Sequence, residues 1–317
     1  MALSNAQLLW YDSNVLRLPQ DKRTEYHAQV DRLISELRKH MADFDELTIK
    51  KVMKAGSFAK FTILRKTNED PVDVDVMFYL TGDNVSHKTF KDLSDVIYAK
   101  LAKIYPTKKV EDFELQRRAA TVQFVGSGLA VDIVPVLQDP KRPDYGWQFD
   151  IQDGSKNETC APCQIQFVVD RKKQDAHFRT LVRLAKRWKN YTTPSGLKSF
   201  HIELIMAHLL EVDGSGGSIE KRFRDFLLYV AQSELKERVD FVENRKSPAF
   251  SFADPVVVID PVNNSNNVTS RISETERKEI CQTAQNSWEV ACRASEDDDL
   301  DAWKEVFGPR FKVKEEE

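Results

Sequence analysis

Two stretches of the sequence carry residues that could hold a phosphate and a metal side by side. Gly56-Ser57-Phe58-Ala59-Lys60-Phe61-Thr62 reads as a turn. Its backbone N–H groups and hydroxyls are donors of the kind that cradle a phosphate. Pro71-Val72-Asp73-Val74-Asp75-Val76-Met77-Phe78-Tyr79 follows and alternates like a strand. Side chains point to opposite faces at each step, so Asp73 and Asp75 share one face and Val72, Val74, Val76 and Phe78 the other. Two carboxylates side by side repel unless a cation lies between them. Mg²⁺, a hard ion that takes oxygen ligands, is the usual resolution. A metal beside a phosphate cradle is the equipment of phosphoryl or nucleotidyl transfer.

A third carboxylate lies in Ser127-Gly128-Leu129-Ala130-Val131-Asp132-Ile133-Val134-Pro135-Val136-Leu137. Leu129, Val131 and Ile133 take one face of this run, which leaves Asp132 on the other. Alone, Asp132 would read as a solvated edge charge. An Asp-x-Asp alone also occurs in glycosyltransferases and on ordinary surface strands. Gly-Ser, then Asp-x-Asp, then an Asp inside a hydrophobic strand is a far more specific order.

That order resembles the DNA polymerase β-like nucleotidyltransferases. Three further stretches narrow the resemblance: Lys186 in the helical run Leu181-Val182-Arg183-Leu184-Ala185-Lys186-Arg187-Trp188, Lys198-Ser199-Phe200 opening the next helix, and Ile259-Asp260-Pro261-Val262-Asn263-Asn264-Ser265-Asn266-Asn267-Val268. Together they look like the cGAS/DncV-like nucleotidyltransferases of bacteria (CD-NTases), and within them the HORMA-associated type that makes cyclic trinucleotides. The likeness runs from the first long helix to Trp303-Lys304-Glu305-Val306-Phe307-Gly308, nearly all of the chain.

The resemblance implies an α+β fold. Residues 1–163 would form a polymerase-β-like palm of mixed sheet and helices with an N-terminal bridging helix. Residues 164–317 would form a C-terminal helical lobe that closes the nucleotide cleft. Asp73, Asp75 and Asp132 would be the catalytic, metal-holding residues for two Mg²⁺ ions, with Mn²⁺ as an alternative. Gly56, Ser57, Lys186, Ser199 and Phe200 would bind nucleotide, Lys186 and Ser199 at the triphosphate and Phe200 stacked on the purine. On sequence alone Phe200 reads equally as a core residue of a helix that also holds Ile202, Leu204, Ile205 and Leu209. In the implied reaction a ribose hydroxyl attacks the α-phosphate of an NTP and pyrophosphate leaves. Ring closure then gives a cyclic oligonucleotide, with ATP as main substrate, other NTPs open and cyclic tri-adenylate as favoured product. Implied partners are a HORMA-domain activator, an AAA+ regulator, a nuclease effector and nucleic acid as a further activator. The implied setting is anti-phage signalling in the cytoplasm. One residue departs from the family pattern, which resembles Gly-Ser-x-x-x-Gly-Thr: Phe61 stands where the second glycine would permit positive φ or close backbone approach.

Cyclisation is not written in these residues. The same carboxylates would serve a linear oligoadenylate synthase or a tRNA-terminal nucleotidyltransferase. A tRNA enzyme should carry a sizeable basic face, and the net charge of −3 argues against it. A non-catalytic nucleotide-binding module on this fold would typically have lost one or more of the carboxylates, and all three are present.

The bulk properties agree with an enzyme core. At 317 residues and 41% hydrophobic content the chain can bury a sizeable core, as one large domain or two packed ones. Met1-Ala2-Leu3-Ser4 leads into a polar segment with no signal-peptide pattern, and no apolar run is long enough to span a membrane. Cys160-Ala161-Pro162-Cys163 has metal-ligand spacing, but a zinc site would need it to meet the distant Cys281 and Cys292. Ordinary reduced thiols are the simpler expectation, and there is no Cys/His cluster like the zinc-bearing insertion of animal cGAS.

The remaining elements read as scaffold. Arg23 to Met41 carries Tyr26, Val30, Ile34 and Leu37 on one helical face. Leu47 to Ala55 is expected as a short helix leading into Gly-Ser. Thr67-Asn68-Glu69-Asp70-Pro71 reads as a polar loop. Lys88 to Tyr105 is a helix, and Val110–Arg117, Ala119–Val125 and Leu129–Leu137 are strand-like. Trp147 to Ile151 is a further short strand. Leu181, Leu184, Ala185 and Trp188 make an apolar stripe beside a basic one of Arg179, Arg183, Lys186 and Arg187, of which Arg179 and Arg187 suit a solvated face. Asp260 to Val268 reads as a capped, Asn-rich loop. Ile272 to Ala294 is a closing helix, and Glu296-Asp297-Asp298-Asp299 and Lys314-Glu315-Glu316-Glu317 read as solvated charge.

Overall fold

The computed structural model describes residues 3–41, 47–65, 71–82, 86–244 and 250–314. The loop expected at Thr67–Asp70 and the acidic end Glu315–Glu317 lie outside the described residues. The chain divides into two units: Leu18–Gln166, and Met1–Arg17 together with Phe167–Glu317.

The first unit is built on a mixed sheet. In chain order its elements are α2 (Gln20–Met41), β1 (Thr48–Lys54), α3 (Gly56–Lys60), β2 (Val72–Thr81), α4 (His87–Ile104), β3 (Phe113–Leu115), β4 (Ala120–Phe124), β5 (Leu129–Gln138), β6 (Gly146–Phe149) and β7 (Lys156–Thr159); α1 (Asn5–Tyr11) precedes them in the other unit. The strand order is β1-β2-β5-β4-β3, with β6 pairing β5 and β7 pairing β6. Among the described residues of this sheet, β2 with β5 is the only parallel pair. A parallel pair needs a long crossover, and α4, β3 and β4 supply it.

Period-two alternation gives this sheet two distinct faces. Val72, Val74, Val76, Phe78 and Leu80 of β2 join Leu129, Val131 and Ile133 of β5 in the main core. Val30, Leu33 and Leu37 of α2 and Leu93, Ile97 and Leu101 of α4 cover that face. The opposite face carries Met77, Tyr79, Val134 and Val136 in a smaller cluster, and then Asp73, Asp75 and Asp132. The expected helix at Leu47–Ala55 is instead strand β1, because those residues pair antiparallel along β2, Met53 opposite Met77 and Lys54 opposite Val76.

The second unit is mostly helical: α1, α5 (Ala161–Gln174), α6 (Phe178–Thr192), α7 (Ser199–Asp213), α8 (Ile219–Gln232), a hairpin of β8 (Ile259–Asp260) and β9 (Asn263–Asn267), α9 (Glu274–Glu296) and α10 (Trp303–Phe307). The unit boundary falls within α5. The expected division put residues 1–17 with the sheet, whereas they pack in the helical unit. Two features explain this. Tyr11 is buried against Phe307 and Phe311. Asp12, fully buried, accepts hydrogen bonds from Arg183 Nε at 2.5 Å, Arg183 Nη2 at 2.6 Å and Thr180 Oγ1 at 2.8 Å.

The solvated-face reading of α6 fails for Arg187, while Arg179 is half-buried. Arg183, Lys186 and Arg187 are all buried, and Arg187 Nε donates to the Phe307 carbonyl at 2.6 Å. The cysteines differ from expectation too. Cys160 and Cys163 form a disulfide, because a Cys-x-x-Cys at the start of α5 brings the two Cα atoms within 5.2 Å. Cys281 and Cys292 are free. Among the described residues no helix is long and apolar enough to cross a membrane.

Removing one partner of a buried ion pair strands the other charge, which typically costs about 3–5 kcal/mol. Asp12→Ala is therefore expected to lower the unfolding free energy by about that amount in urea titrations followed by circular dichroism. A loss below about 1 kcal/mol would mean that Arg183 finds solvent or another partner instead.

Candidate active site

Register brings the carboxylates together. In the parallel pair of β2 and β5, Asp75 lies opposite Asp132 and Asp73 opposite Ala130. Across β5 and β4, Asp132 lies opposite Thr121, and across β4 and β3, Thr121 lies opposite Glu114. Directly paired residues share a face, so Glu114, Thr121, Asp132 and Asp75 form one row across four strands, with Asp73 one pleat along. Asp73 is exposed, while Asp75 and Asp132 are half-buried.

Thr121 was not legible as a site residue, since only cross-strand pairing puts it there. Its Oγ1 donates to Asp132 Oδ1 at 2.6 Å. Burial pushes the Asp132 carboxyl above the ordinary carboxylate range; the Thr121 hydrogen bond pulls the other way, and the Glu114 charge adds to the rise. Burial and the Glu114 charge both disfavour the ionised form of Asp132, which a divalent cation beside it would favour.

The Gly-Ser stretch abuts this row. The Ala55 N–H donates to the Asp75 carbonyl at 2.8 Å. Gly56 has φ +58, and a Cβ built on it would stand 1.7 Å from Asp75 Oδ2. A side chain there would be strained at that φ and would force the Asp75 carboxylate to move. The expected turn is a single short helix, α3, with Ser57 half-buried in it. Phe61 ends that helix in the left-handed conformation, φ 60 and ψ 31. The position therefore does demand positive φ, as the glycine of the family pattern suggests, and a phenylalanine adopts it.

Arg23 of α2 accompanies that conformation. Its Nη2 donates to the Phe58 carbonyl at 2.6 Å, and its guanidinium lies 4.3 Å from the Phe58 ring centre and 3.7 Å from that of Phe61. A cation over an aromatic face is worth about 0.5–2 kcal/mol, comparable with the cost of a left-handed non-glycine residue, roughly 1–2 kcal/mol. Sequence periodicity places Arg23 on the packing face of α2, but nothing local announces this contact.

The remaining expected nucleotide ligands lie on successive helices of the helical unit. Lys186 is buried on α6, and Ser199 and Phe200 are half-buried in the first turn of α7. Among the described residues, no group of three or more His, Cys, Asp or Glu side chains is already drawn around a common metal position. The acidic row nevertheless offers oxygen donors only, which suits a hard divalent ion, and its half-buried Asp132 would be compensated by one.

A mixed sheet with an acidic row on its open face, next to a Gly-Ser helix, defines a nucleotidyltransferase. Residues 1–166 match the model of the Second Messenger Oligonucleotide or Dinucleotide Synthetase domain. An Escherichia coli (strain KTE188) protein named CBASS oligonucleotide cyclase CdnC is 64% identical over 316 residues, 99% of each chain. A cyclic AMP-AMP-AMP synthase of E. coli (strain MS 115-1) is 32% identical over 308 residues, 94% of each. The solved structure of E. coli MS115-1 CdnC with ATP matches at a TM-score of 0.80 and 30% identity, over 98% of this chain and 99% of that one. The same protein in complex with HORMA-deltaN matches at 0.79 and 30% identity, over 98% of each. The chain belongs to the Second Messenger Oligonucleotide or Dinucleotide Synthetase family, as a cGAS/DncV-like nucleotidyltransferase. Enzymes of this family use divalent metal ions.

Between the ordinary carboxylate range and its raised value, Asp132 keeps a proton in the folded chain that the unfolded chain releases. Metal-free stability should thus be full below the ordinary range and fall as pH rises through the raised value. Asp132→Asn keeps an acceptor for Thr121 and removes that charge. The expected outcome is a Tm at neutral pH equal to or above that of the parent, with a smaller decline as pH rises from acid to neutral, measured by calorimetry in chelator. A clearly lower Tm would show that the ionised carboxylate stabilises the fold.

Proposed function

We propose that the protein joins nucleotides from ATP into a cyclic oligonucleotide, cyclic tri-adenylate, as the second messenger of an anti-phage (CBASS) system in the cytoplasm. The observation that carries the catalytic part is the register of β2 against β5, with Asp75 opposite Asp132, Asp73 on the same face and Gly56 alongside. The choice of ATP and of a three-membered ring rests on the relatives from E. coli MS 115-1: a cyclic AMP-AMP-AMP synthase, and CdnC solved with ATP.

In this reading Asp73, Asp75 and Asp132 would hold two Mg²⁺ ions, or Mn²⁺ in their place. When bound, such ions neutralise the phosphates and promote ionisation of the attacking ribose hydroxyl. The chain's own groups would orient the reactants. Gly56 lets the start of α3 close directly onto the Asp75 carboxylate. The Ser57 hydroxyl and nearby N–H groups would donate to phosphate oxygens, Lys186 would add a cation and Ser199 another hydroxyl, and the Phe200 ring would stack on the base. The attacking oxygen forms its bond to the α-phosphorus as the bond to pyrophosphate breaks, so alignment and charge stabilisation supply the rate enhancement. Thr121, by holding one oxygen of Asp132, would fix which oxygen faces the reactants. The HORMA complex of the E. coli MS115-1 relative supports a HORMA-domain partner here; an activating role for it and an AAA+ regulator beside it are implied by the family resemblance alone.

Incubation with all four NTPs and Mg²⁺, phosphatase treatment and mass spectrometry should yield a phosphatase-resistant cyclic tri-adenylate, with a HORMA-domain partner added if the chain alone is silent. Linear, phosphatase-sensitive oligomers would replace cyclisation with oligoadenylate synthesis. The Asp73→Asn and Asp75→Asn double variant should fold normally yet lose at least about a thousandfold in rate. Turnover within tenfold of the parent would remove these residues from the chemistry.

A further inference from the structure

The start of α7 is held by a side chain whose role the sequence patterns did not suggest. Lys198, the residue before the helix, has extended backbone, φ −102 and ψ 158. Its side chain has no acceptor to offer the orphan N–H groups of a helix start. His201, third residue of the helix, reaches back instead, and its Nδ1 accepts the Lys198 N–H at 3.2 Å. With Nδ1 accepting, the ring proton resides on Nε2, which donates to the Val268 carbonyl at 3.1 Å. The ring is buried, 4% exposed. Burial lowers its pKa to about 4, with the nearby charges of Lys198 and Lys189 pushing the same way and the Val268 bond opposing, so the neutral ring that this arrangement needs is the form present at neutral pH.

The Val268 carbonyl is itself fixed. Val268 N–H donates to the Val258 carbonyl at 2.9 Å. On one side of it, Asn267 is buried. Its Oδ1 accepts the N–H groups of Val258 at 3.0 Å and Thr269 at 3.1 Å, and its Nδ2 donates to the Val256 carbonyl and to Asp254 Oδ2, both at 2.8 Å. The Asn-rich segment, expected as a capped loop, is thus a cross-linked hairpin end that presents one carbonyl to one imidazole. Ser199 and Phe200 lie between Lys198 and His201, inside the loop that the first of these hydrogen bonds closes.

We infer that His201 is a positioning residue, which sets Ser199 and Phe200 for the triphosphate and base of the nucleotide by linking the start of α7 to the Asn267 hub. The inference rests on the proposed nucleotide-binding role of Ser199 and Phe200. Its action is through them, with no contact of its own to the reacting atoms.

The test measures steady-state kinetics with ATP, alongside thermal melts, for four single variants of the full chain with its activating partner. His201→Leu keeps bulk and loses both hydrogen bonds, and should raise the KM for ATP about tenfold with kcat changed less than about threefold. His201→Gln places at the third helical position a residue that can reach back to the Lys198 N–H, and should recover most of that loss. Ser199→Ala and Phe200→Ala test the underlying reading, and each should raise KM. If they raise it while His201→Leu lowers Tm alone, the positioning role is overturned and the nucleotide reading stands. If neither Ser199→Ala nor Phe200→Ala moves KM, the nucleotide reading falls, and the inference with it. Should His201→Leu fail to fold, ¹⁵N-edited spectra of the unaltered protein decide: the His201 ring should show the Nε2-protonated tautomer and shift on addition of ATP and Mg²⁺, and ring signals unmoved by saturating ATP overturn the role.

Discussion

The parallel pairing of β2 with β5 is the constraint on which the candidate site depends. Three carboxylates on two strands far apart in sequence form one acidic patch only in this register, with Asp75 opposite Asp132. Because the side-chain period is two, a slip by one residue would send Asp132 into the apolar core and bring Val131 or Ile133 to the open face. The register is held by the other face: Val72, Val74 and Val76 with Leu129, Val131 and Ile133 are buried under α2 and α4. The hydrophobic effect thus fixes the geometry of the charged face. Its cost is visible at Asp132, whose burial disfavours its own charge until a cation is near.

The Gly-Ser segment shows how a family pattern can be departed from without losing its geometry. The backbone still turns left-handed at residue 61, though phenylalanine stands there. Arg23 lies between the rings of Phe58 and Phe61 and closes on the Phe58 carbonyl. The attraction and the backbone strain are of similar size, so the conformation that glycine adopts freely is here supported by a neighbouring helix. Gly56 is different, because there a side chain would displace the Asp75 carboxylate itself.

In the helical unit, buried polar groups act as joints. Asp12 ties the N-terminal segment to α6 through Arg183 and Thr180. Arg187 ties the same helix to the end of α10 through the Phe307 carbonyl. His201 ties α7 to the hairpin end. Each joint satisfies donors and acceptors that would be costly to bury alone, and together they hold the two helices that carry Lys186, Ser199 and Phe200.

The sequence by itself determined the kind of fold and named the candidate residues. The shared face of Asp73 and Asp75 and the apolar backing of Asp132 could be read because alternation along a strand is a local property, and so could the amphipathic helices α2 and α4, whose period is equally local. Tertiary structure alone decided what depends on partners distant in sequence. Leu47–Ala55 is a strand because β2 is there to pair with it. Residues 1–17 belong with the helical unit because Asp12 meets Arg183. Arg183 and Arg187 of the basic stripe of α6 are buried because acceptors from other segments meet them, Asp12 for Arg183 and the Phe307 carbonyl for Arg187. Thr121 and His201 carry no signal in their own neighbourhoods. Cross-strand register places Thr121 against Asp132, and a carbonyl from residue 268 gives His201 its role. Periodicity is written in neighbouring residues, whereas hydrogen-bond partners and burial come only from the closure of chain segments on one another.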